Sequence, residues 1–400
     1  MKIWIVTNAY LPEKGGLVSY TRNLALQLLK EGKEVEIITS NLKNTELPEF
    51  ENIEGVSVKR VDYSNVPKLL MLFSPIVYYF RTKAYIKALQ IAEDDIVISR
   101  FYSFALAVSK AKRHDRHIFI TPLVATKLQI IAAKENRSLK KLYYYFILPQ
   151  LAILDKLAIK TAPKVGVLSD SKRQEVVNYF KLKNRKVAVL PPGVDTNRFD
   201  LASDNEKDSL RKKLNYAGED IILLCVSRLS SEKNLEILIR CMTKIEDKNV
   251  KLAFVGDGEC WSILESLILK YNLQKRVKLW GARTNVEDYY KMADVFILPS
   301  KYEGFGHVYI EAMSCGLPCI AAKSNPPETI TASGEIITDK KLGCLVDYNS
   351  EEQIIAAIFN CITNLGKNGQ ERRKHVLDNY TWEKHYKDIE RIILNDRSWE

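Results

Sequence analysis

Along the first 40 residues the apolar pattern changes period twice. KIWIVT is a continuous apolar run without alternation, the signature of a strand covered on both faces. NAYLPEKGG is rich in turn residues. In LVSYTRNLALQLLKEG, apolar residues recur at helical spacing (Leu17, Tyr20, Leu24, Leu28), with Gly32 placed as a C-cap. EVEIITS is the next strand. The pattern predicts a β-α-β unit, hence a parallel, doubly wound sheet. Further apolar runs predict strands at 95–99, 117–121, 164–169 and 186–190. After PPGVDTNRF (191–199) the alternation restarts, with strands expected at 220–229, 250–258, 277–281, 294–300 and 317–322 and a helix from about Asn234. Two Rossmann-like domains joined near residue 195 are the economical α/β reading. A ligand is then expected in the cleft between them, at the carboxyl ends of the strands. TWEKHYKDIERIILND (381–396) has Trp382, Tyr386, Ile389, Ile392 and Ile393 at helical spacing. The pattern alone allows that helix to stay with the second domain or to return to the first.

The length of 400 residues fits two domains, and 46% hydrophobic with 27% charged residues is a globular composition. There is no solenoid repeat and no low-complexity run. The apolar stretch after Lys2 is too short for a signal-peptide core and fits a first strand. The uncharged runs at 69–80 and 142–154 fall short of the roughly 20 residues that span a bilayer. Seven cysteines (225, 241, 260, 315, 319, 344 and 361) lie in the second half with no Cys-x-x-Cys, which reads as buried free thiols of a reducing cytosol. Charge changes the picture most. Residues 1–200 carry 32 Lys and Arg against 19 Asp and Glu, whereas residues 201–400 carry 28 against 30. A basic first half points to an anionic partner: a phosphorylated acceptor, an anionic membrane surface or a nucleic acid.

Four stretches gather polar and glycine residues at strand ends. In LPEKGG, Gly15 and Gly16 precede a helix, where backbone can approach a ligand and the dipole favours an anion; a tight turn is the plainer reading. In SRLSSEKN, Arg228 and Lys233 place two cations before a helix, suited to diphosphate; the plain alternative is a solvated loop with Glu232 as local partner. FVGDGE (254–259) reads as a structural glycine turn. In YEGFGHVYIEAMSCG, a helix beginning near Gly306 would offer the amides of Gly306, His307 and Val308 to phosphate. Glu311 and Glu303 then suit polyols rather than phosphate, Glu311 a vicinal diol such as a ribose and Glu303 a second sugar. The alternative makes Glu311 a surface residue and Glu303 a turn cap.

RLSSEKN, FVGDGE, LPSKYEGFGHVYIEAMSCGLP, LPPGVDTNRF and YLPEKGG, in this order and spacing, resemble the family 4 retaining glycosyltransferases of the GT-B fold over nearly the whole chain. The resemblance implies an acceptor-binding domain over 1–193, a nucleotide-sugar-binding domain over 194–380, and a C-terminal helix (381–400) crossing back to the first. Arg228 and Lys233 would bind the donor diphosphate and offset the leaving charge. Glu311 would hold the ribose and Glu303 the donor sugar, with the backbone of Phe305 and Gly306 nearby and Gly16 reaching the diphosphate from the other domain. Attack on the face that the donor phosphate leaves, with that phosphate taking the acceptor proton, would retain configuration. No Asp-x-Asp stands near a strand end, and two fixed cations plus helix amides can replace a metal, so no metal and no cofactor are expected. There are departures. The strand at 117–121 leads into Pro122 and Leu123 where many members have a histidine, and His114 and His117 are expected at its far end. No catalytic histidine is therefore assigned. His307 stands where an apolar residue is usual, and SNPPETI (324–330) lacks a common glycine pair, leaving Glu328 without a role.

The expected function is transfer of a hexose-type sugar from a nucleotide donor, UDP-linked by expectation, to an acceptor hydroxyl on a glycan, lipid-linked carrier or small molecule, as in bacterial surface-glycan synthesis. SPIVYYFRTKAYIKAL and SLKKLYYYFILPQLAILDKLAIK suit either an anionic membrane surface or the core of a basic domain. The expected location is cytoplasmic, peripheral on the inner membrane face if the first of these holds, with no nucleic-acid partner. The competing readings are a nucleotide-sugar epimerase or phosphorylase on the same fold, and a catalytically silent nucleotide-sugar-binding scaffold.

Overall fold

A computed structural model describes residues 1–13, 15–41, 46–63, 72–112, 114–121, 124, 126, 140–182 and 187–394. It divides into two compact units, Met1–Pro192 with Trp382–Glu400, and Gly193–Thr381.

In the first unit the strands are β1 (Lys2–Val6), β2 (Glu34–Ser40), β3 (Phe50–Ile53), β4 (Val56–Val61), β5 (Ile96–Ser99), β6 (His117–Thr121), β7 (Lys164–Val167) and β8 (Val187–Val189), in the order β3-β4-β2-β1-β5-β6-β7-β8. β1 pairs in parallel with β2 (Ile3↔Val35) and with β5 (Ile3↔Ile96), so its flanks are both hydrogen-bonded and both its faces are covered. That is why KIWIV carries no alternation. The helices are α1 (Gly16–Lys30), α2 (Ser74–Ala88), α3 (Tyr102–Ala111), α4 (Lys140–Thr161) and α5 (Asp170–Phe180). Trp4, Val6 and Ile38 of the sheet share a core with Ile86 of α2 and Phe104 and Val108 of α3. Two strands of this unit are not anticipated by the sequence. β3 and β4 form an antiparallel hairpin through Glu54 and Gly55, both at positive φ (54° and 85°), a type I′ turn.

In the second unit β9 (Ile221–Val226), β10 (Val250–Val255), β11 (Val277–Leu279), β12 (Val295–Leu298), β13 (Cys319–Ala322) and β14 (Gly343–Val346) make a parallel sheet in the order β11-β10-β9-β12-β13-β14. β14 was also not foreseen from the sequence. The helices are α6 (Asp204–Lys213), α7 (Glu236–Lys244), α8 (Trp261–Lys270), α9 (Val286–Met292), α10 (His307–Ser314), α11 (Ser333–Ile336), α12 (Glu351–Asn360) and α13 (Gly369–Asn379). The order reverses between β9 and β12, and the loops leaving those two strands carry the candidate chemistry.

The C-terminal helix α14 (Trp382–Leu394) buries Trp382, His385, Tyr386, Ile389, Ile392 and Ile393, one face at three- and four-residue spacing. That face packs within the first unit. Trp382 stands edge-on to Tyr20 of α1 at 5.2 Å, and Lys164 Nζ donates to the Ile393 carbonyl at 3.0 Å. His385 Nδ1 donates to the Pro191 carbonyl at 2.7 Å, which leaves Nε2 as acceptor for the Tyr20 hydroxyl. Burial pushes that hydroxyl's pKa up to about 12. The Arg100 guanidinium lies over the Tyr20 ring, 3.6 Å from its centre. The cysteines are free thiols, all buried except the half-buried Cys344. Among the described residues no helix is long and apolar enough to cross a membrane.

Candidate active site

β9 is buried over its four central residues and ends at Val226. Its following loop holds Arg228, then a 3-10 turn, Ser231–Lys233, closed by Asn234 in the left-handed region (φ 56°). Asn234 Nδ2 donates to the Tyr348 carbonyl at 2.7 Å, fixing the turn to the chain beyond β14. The loop after β10 lies directly on this one. Leu229 N donates to Asp257 O and Cys260 N to Leu229 O, each at 2.9 Å. Only glycine permits that approach: a Cβ at Gly256 would stand 1.8 Å from Ser227 O, and one at Gly258 would stand 2.3 Å from Leu229 O. The glycines of FVGDGE are thus structural supports of the cation loop.

The two cations differ. Arg228 is 62% exposed and pairs with Glu232 at 3.1 Å, the local partnership that the sequence reading held open. Burial opposes ionisation of Glu232. The Ser230 hydroxyl (2.7 Å), a backbone amide and the charges of Lys233 and Arg228 outweigh it and bring the pKa below the usual carboxylate range. Lys233 turns inward. Its Nζ sits 2.7 Å from Glu303 Oε2, with both side chains mostly covered (14% and 17% exposed). Backbone bonds hold Glu303 there: Lys301 N donates to Glu232 O at 2.8 Å and Glu303 N to Ile330 O at 3.1 Å.

Beyond Glu303 the chain reaches Gly306, left-handed at φ 98°, ψ 57°, which caps α10 without a side-chain bond. A Cβ there would meet the Tyr309 ring at 2.5 Å and Glu303 Cγ at 3.4 Å, so Gly306 is required and Glu303 lies beside the helix start. The amides of His307 and Val308 lie in the first turn of α10, the end of a helix whose dipole favours an anion. The Phe305 ring is buried between His307 and Tyr380, each 5.8 Å away, so only its backbone is available to a ligand.

Glu311 is half-buried, one turn into α10, rather than on an open surface. Its Oε2 accepts a hydrogen bond from the Tyr290 hydroxyl at 2.8 Å. Burial holds the Glu311 pKa above the ordinary carboxylate value, against the Tyr290 bond and the positive charge of Arg198. Tyr290, at the end of α9, is fully buried between Phe199 (5.6 Å) and Phe296 (5.7 Å). Arg198 grips Glu287 at 2.9 and 2.6 Å. PPGVDTNRF therefore serves the site indirectly, its Phe199 supporting Tyr290. The sequence reading missed Tyr290; its signal is the second tyrosine of DYYKMADVFILPS, facing the core just before β12.

Gly15 and Gly16 belong to the first unit. They begin α1 with no side-chain cap, Gly15 at φ 137°, and a Cβ on either would meet nothing within 4 Å. His117 stands at the amino end of β6, buried against Ser99 (2.8 Å), and burial brings its pKa down to about 3. His114 Nε2 donates to Ala92 O at 2.9 Å. Pro122 and Leu123 lie outside the described residues. SNPPETI closes a small loop through paired bonds between Asn325 and Thr329, with Glu328 exposed at its tip. Among the described residues no cluster of three or more His, Cys, Asp or Glu could hold a metal ion.

Residues 14–198 match the family described as Glycosyltransferase Family 4, and residues 206–377 match the one described as Glycosyl transferases group 1. An uncharacterized glycosyltransferase of Methanocaldococcus jannaschii is 27% identical over 391 residues, 96% of this chain and 95% of the relative. A Corynebacterium glutamicum protein named as a GDP-mannose-dependent monoacylated alpha-(1-6)-phosphatidylinositol monomannoside mannosyltransferase is 26% identical over 96% of this chain and 95% of its own. Among solved structures, Anabaena HepE in complex with UDP and glucose superposes with a TM-score of 0.75 at 17% identity, over 99% of this chain and 100% of that one. At that identity the likeness speaks for the fold, and the two parallel-sheet units are those of GT-B. The chain belongs to the family 4 glycosyltransferases.

Proposed function

We propose that this glycosyltransferase moves a hexose-type sugar from a UDP-linked donor to an acceptor hydroxyl, with retention of configuration and without a metal ion. The Lys233–Glu303 pair beside the uncapped start of α10 carries the reading. A lysine ammonium has three donors, so Lys233 can keep Glu303 and still meet a phosphate oxygen. The diphosphate lies on Lys233, Arg228 and the amides of Gly306, His307 and Val308. Glu311 accepts hydrogen bonds from the ribose diol, and Glu303 holds hydroxyls of the transferred sugar. The acceptor oxygen bonds to the anomeric carbon on the face from which the diphosphate departs. The leaving phosphate oxygen takes the acceptor proton, and Lys233 and Arg228 stabilise the charge that develops there. Retention is the general habit of the family. UDP is favoured over GDP by the UDP-bound structural neighbour, although the mannosyltransferase relative is named for GDP-mannose.

The test is a panel of UDP-, GDP- and ADP-sugars assayed in EDTA for thermal stabilisation and slow hydrolysis. A UDP-sugar is expected to stabilise the protein and to release UDP and a sugar of unchanged anomeric configuration. Epimerised donor without UDP release would identify an epimerase, and binding without turnover a scaffold. Activity returning only with Mg²⁺ or Mn²⁺ would refute metal independence.

In the first unit we place the acceptor, in keeping with its basic charge, and the open start of α1 at Gly15 and Gly16 offers amides to an anionic group. Phe146, Ile153 and Leu157 are exposed along one side of α4 beside exposed Lys156 and Lys160. Leu72, Phe73 and Phe80 are exposed at and before α2, which packs on α4. Apolar side chains flanked by lysines suit the surface of an anionic bilayer, and hence a lipid-linked acceptor, the class named for the mannosyltransferase relative. The protein is expected to co-sediment with anionic but not neutral vesicles at low salt. Equal partition to both would sink the membrane assignment.

A further inference from the structure

Two thiols of the second unit face each other away from the residues assigned to the donor. Cys344 lies in β14, the edge strand of the sheet, and is half-buried. Cys361 is buried and opens a π-helical turn, Cys361–Leu365, that continues α12. Such turns displace one residue from the helical row, often at functional positions. The sulfurs stand 4.0 Å apart, in van der Waals contact and about 2 Å beyond a covalent S–S bond.

Their surroundings set them apart from the other cysteines. Burial raises the pKa of Cys225, Cys241, Cys315 and Cys319 and keeps those thiols inert. At Cys344 the direction reverses. Asn360 Nδ2 donates to its sulfur at 3.3 Å and the Cys361 thiol is placed to do the same, and together they bring its pKa down to about 6 against the effect of burial. The buried Arg372 guanidinium, bonded to the carbonyls of Gly316 and Lys341, adds positive charge near Cys361. The half-buried Cys344 is therefore the nucleophile, and the buried Cys361 is placed to resolve it.

We propose that Cys344 and Cys361 form a reversible dithiol–disulfide site whose oxidant is a small hydroperoxide. The Cys344 thiolate attacks one oxygen of hydrogen peroxide, the O–O bond breaks, hydroxide leaves, and a sulfenic acid forms. The Cys361 sulfur then attacks the Cys344 sulfur. The S–O bond breaks, and the hydroxyl leaves as water with the Cys361 proton. The hydroxide from the first step takes up the proton that Cys344 had released. Two electrons pass from the sulfurs to the peroxide, which ends as two waters. The new bond ties the edge strand to the end of α12, a few residues before Tyr348, whose carbonyl holds Asn234 beside Lys233.

The full chain treated with a slight excess of hydrogen peroxide and mapped without reduction should yield a Cys344–Cys361 peptide pair lighter by two hydrogens, reversed by dithiothreitol. Closing this loop should raise the thermal midpoint by roughly 5–10 °C. Cys344→Ser should abolish both effects. Cys361→Ser should leave a sulfenic acid at Cys344 that dimedone captures ahead of any other cysteine. Absence of the linked pair from the oxidised wild type, a midpoint that falls on oxidation, or dimedone capture elsewhere would overturn the proposal. A silent donor site would leave all of these readouts unchanged.

Discussion

Lys233→Ala is expected to lower kcat by about 10²–10³-fold while the second unit stays folded. Lys233 is the inward-facing cation of the loop after β9, held 2.7 Å from Glu303 in a site where both side chains are mostly covered. A charge so placed acts on the departing diphosphate in a medium of lower dielectric than water, where its stabilisation is strongest as the leaving charge grows. Its loss should therefore appear in kcat more than in the donor KM. The fold tolerates the change because Glu303 retains a path to water and its backbone is anchored by Ile330 O, independently of the lysine. Lys233→Arg should recover only part of the rate, since a planar fork cannot reproduce the compact ammonium between a carboxylate and a phosphate. A Lys233→Ala enzyme with wild-type kcat on the preferred donor would sink the assignment. One that lost its cooperative unfolding would point to a merely structural pair.

The parts of this molecule that were legible in the sequence share a physical cause. β1, β5, β9 and β12 are central strands whose burial makes each a nearly continuous apolar run. The missed strands are the β3-β4 hairpin at one end of the first sheet and the short edge strand β14 of the second. β3 alternates exposed and half-buried residues, and FENI has no apolar run to betray it. Only the two-residue Glu54-Gly55 loop followed by VSVKRV marks the hairpin. β14, the opposite edge of the other sheet, is four residues long and begins with Gly343. At the site, Arg228 and Glu232 are four residues apart and their pairing could be weighed from sequence. Lys233 and Glu303 are 70 residues apart, and the alternative for Glu303 named a turn cap, not a lysine. Whether α14 stays or returns was equally beyond periodicity. An amphipathic face shows that something covers it, and His385 and Tyr20, 365 residues apart, show what.

The pH dependence of nucleotide binding is expected to report on Glu311 and Tyr290 together. A ribose diol donates two hydrogen bonds, so it needs the ionised carboxylate. Burial raises the Glu311 pKa, and affinity should therefore fall on acidification at a higher pH than an exposed glutamate would give. Tyr290 donates to the ionised form. Removing its hydroxyl in Tyr290→Phe should move that acid limb to still higher pH and cost up to about tenfold in UDP affinity near neutrality. Glu311→Ala should cost about ten- to a hundredfold and remove the limb altogether. Stability supplies the contrasting sign. A carboxyl whose pKa is raised by folding gives the native state more bound protons than the unfolded chain, in the window between the two pKa values. Its contribution is full below the unfolded pKa and is lost as pH rises through the folded one. Glu311→Gln keeps an acceptor for Tyr290 but cannot ionise, so at neutral pH it should unfold at equal or higher denaturant concentration than the wild type while binding UDP more weakly. Calorimetric titration with UDP across the acid range, alongside denaturant midpoints of the free proteins, separates the two roles. Wild-type affinity in Glu311→Gln would remove the glutamate from the ribose, whereas weakened binding accompanied by a proportionate loss of stability would make it a packing residue.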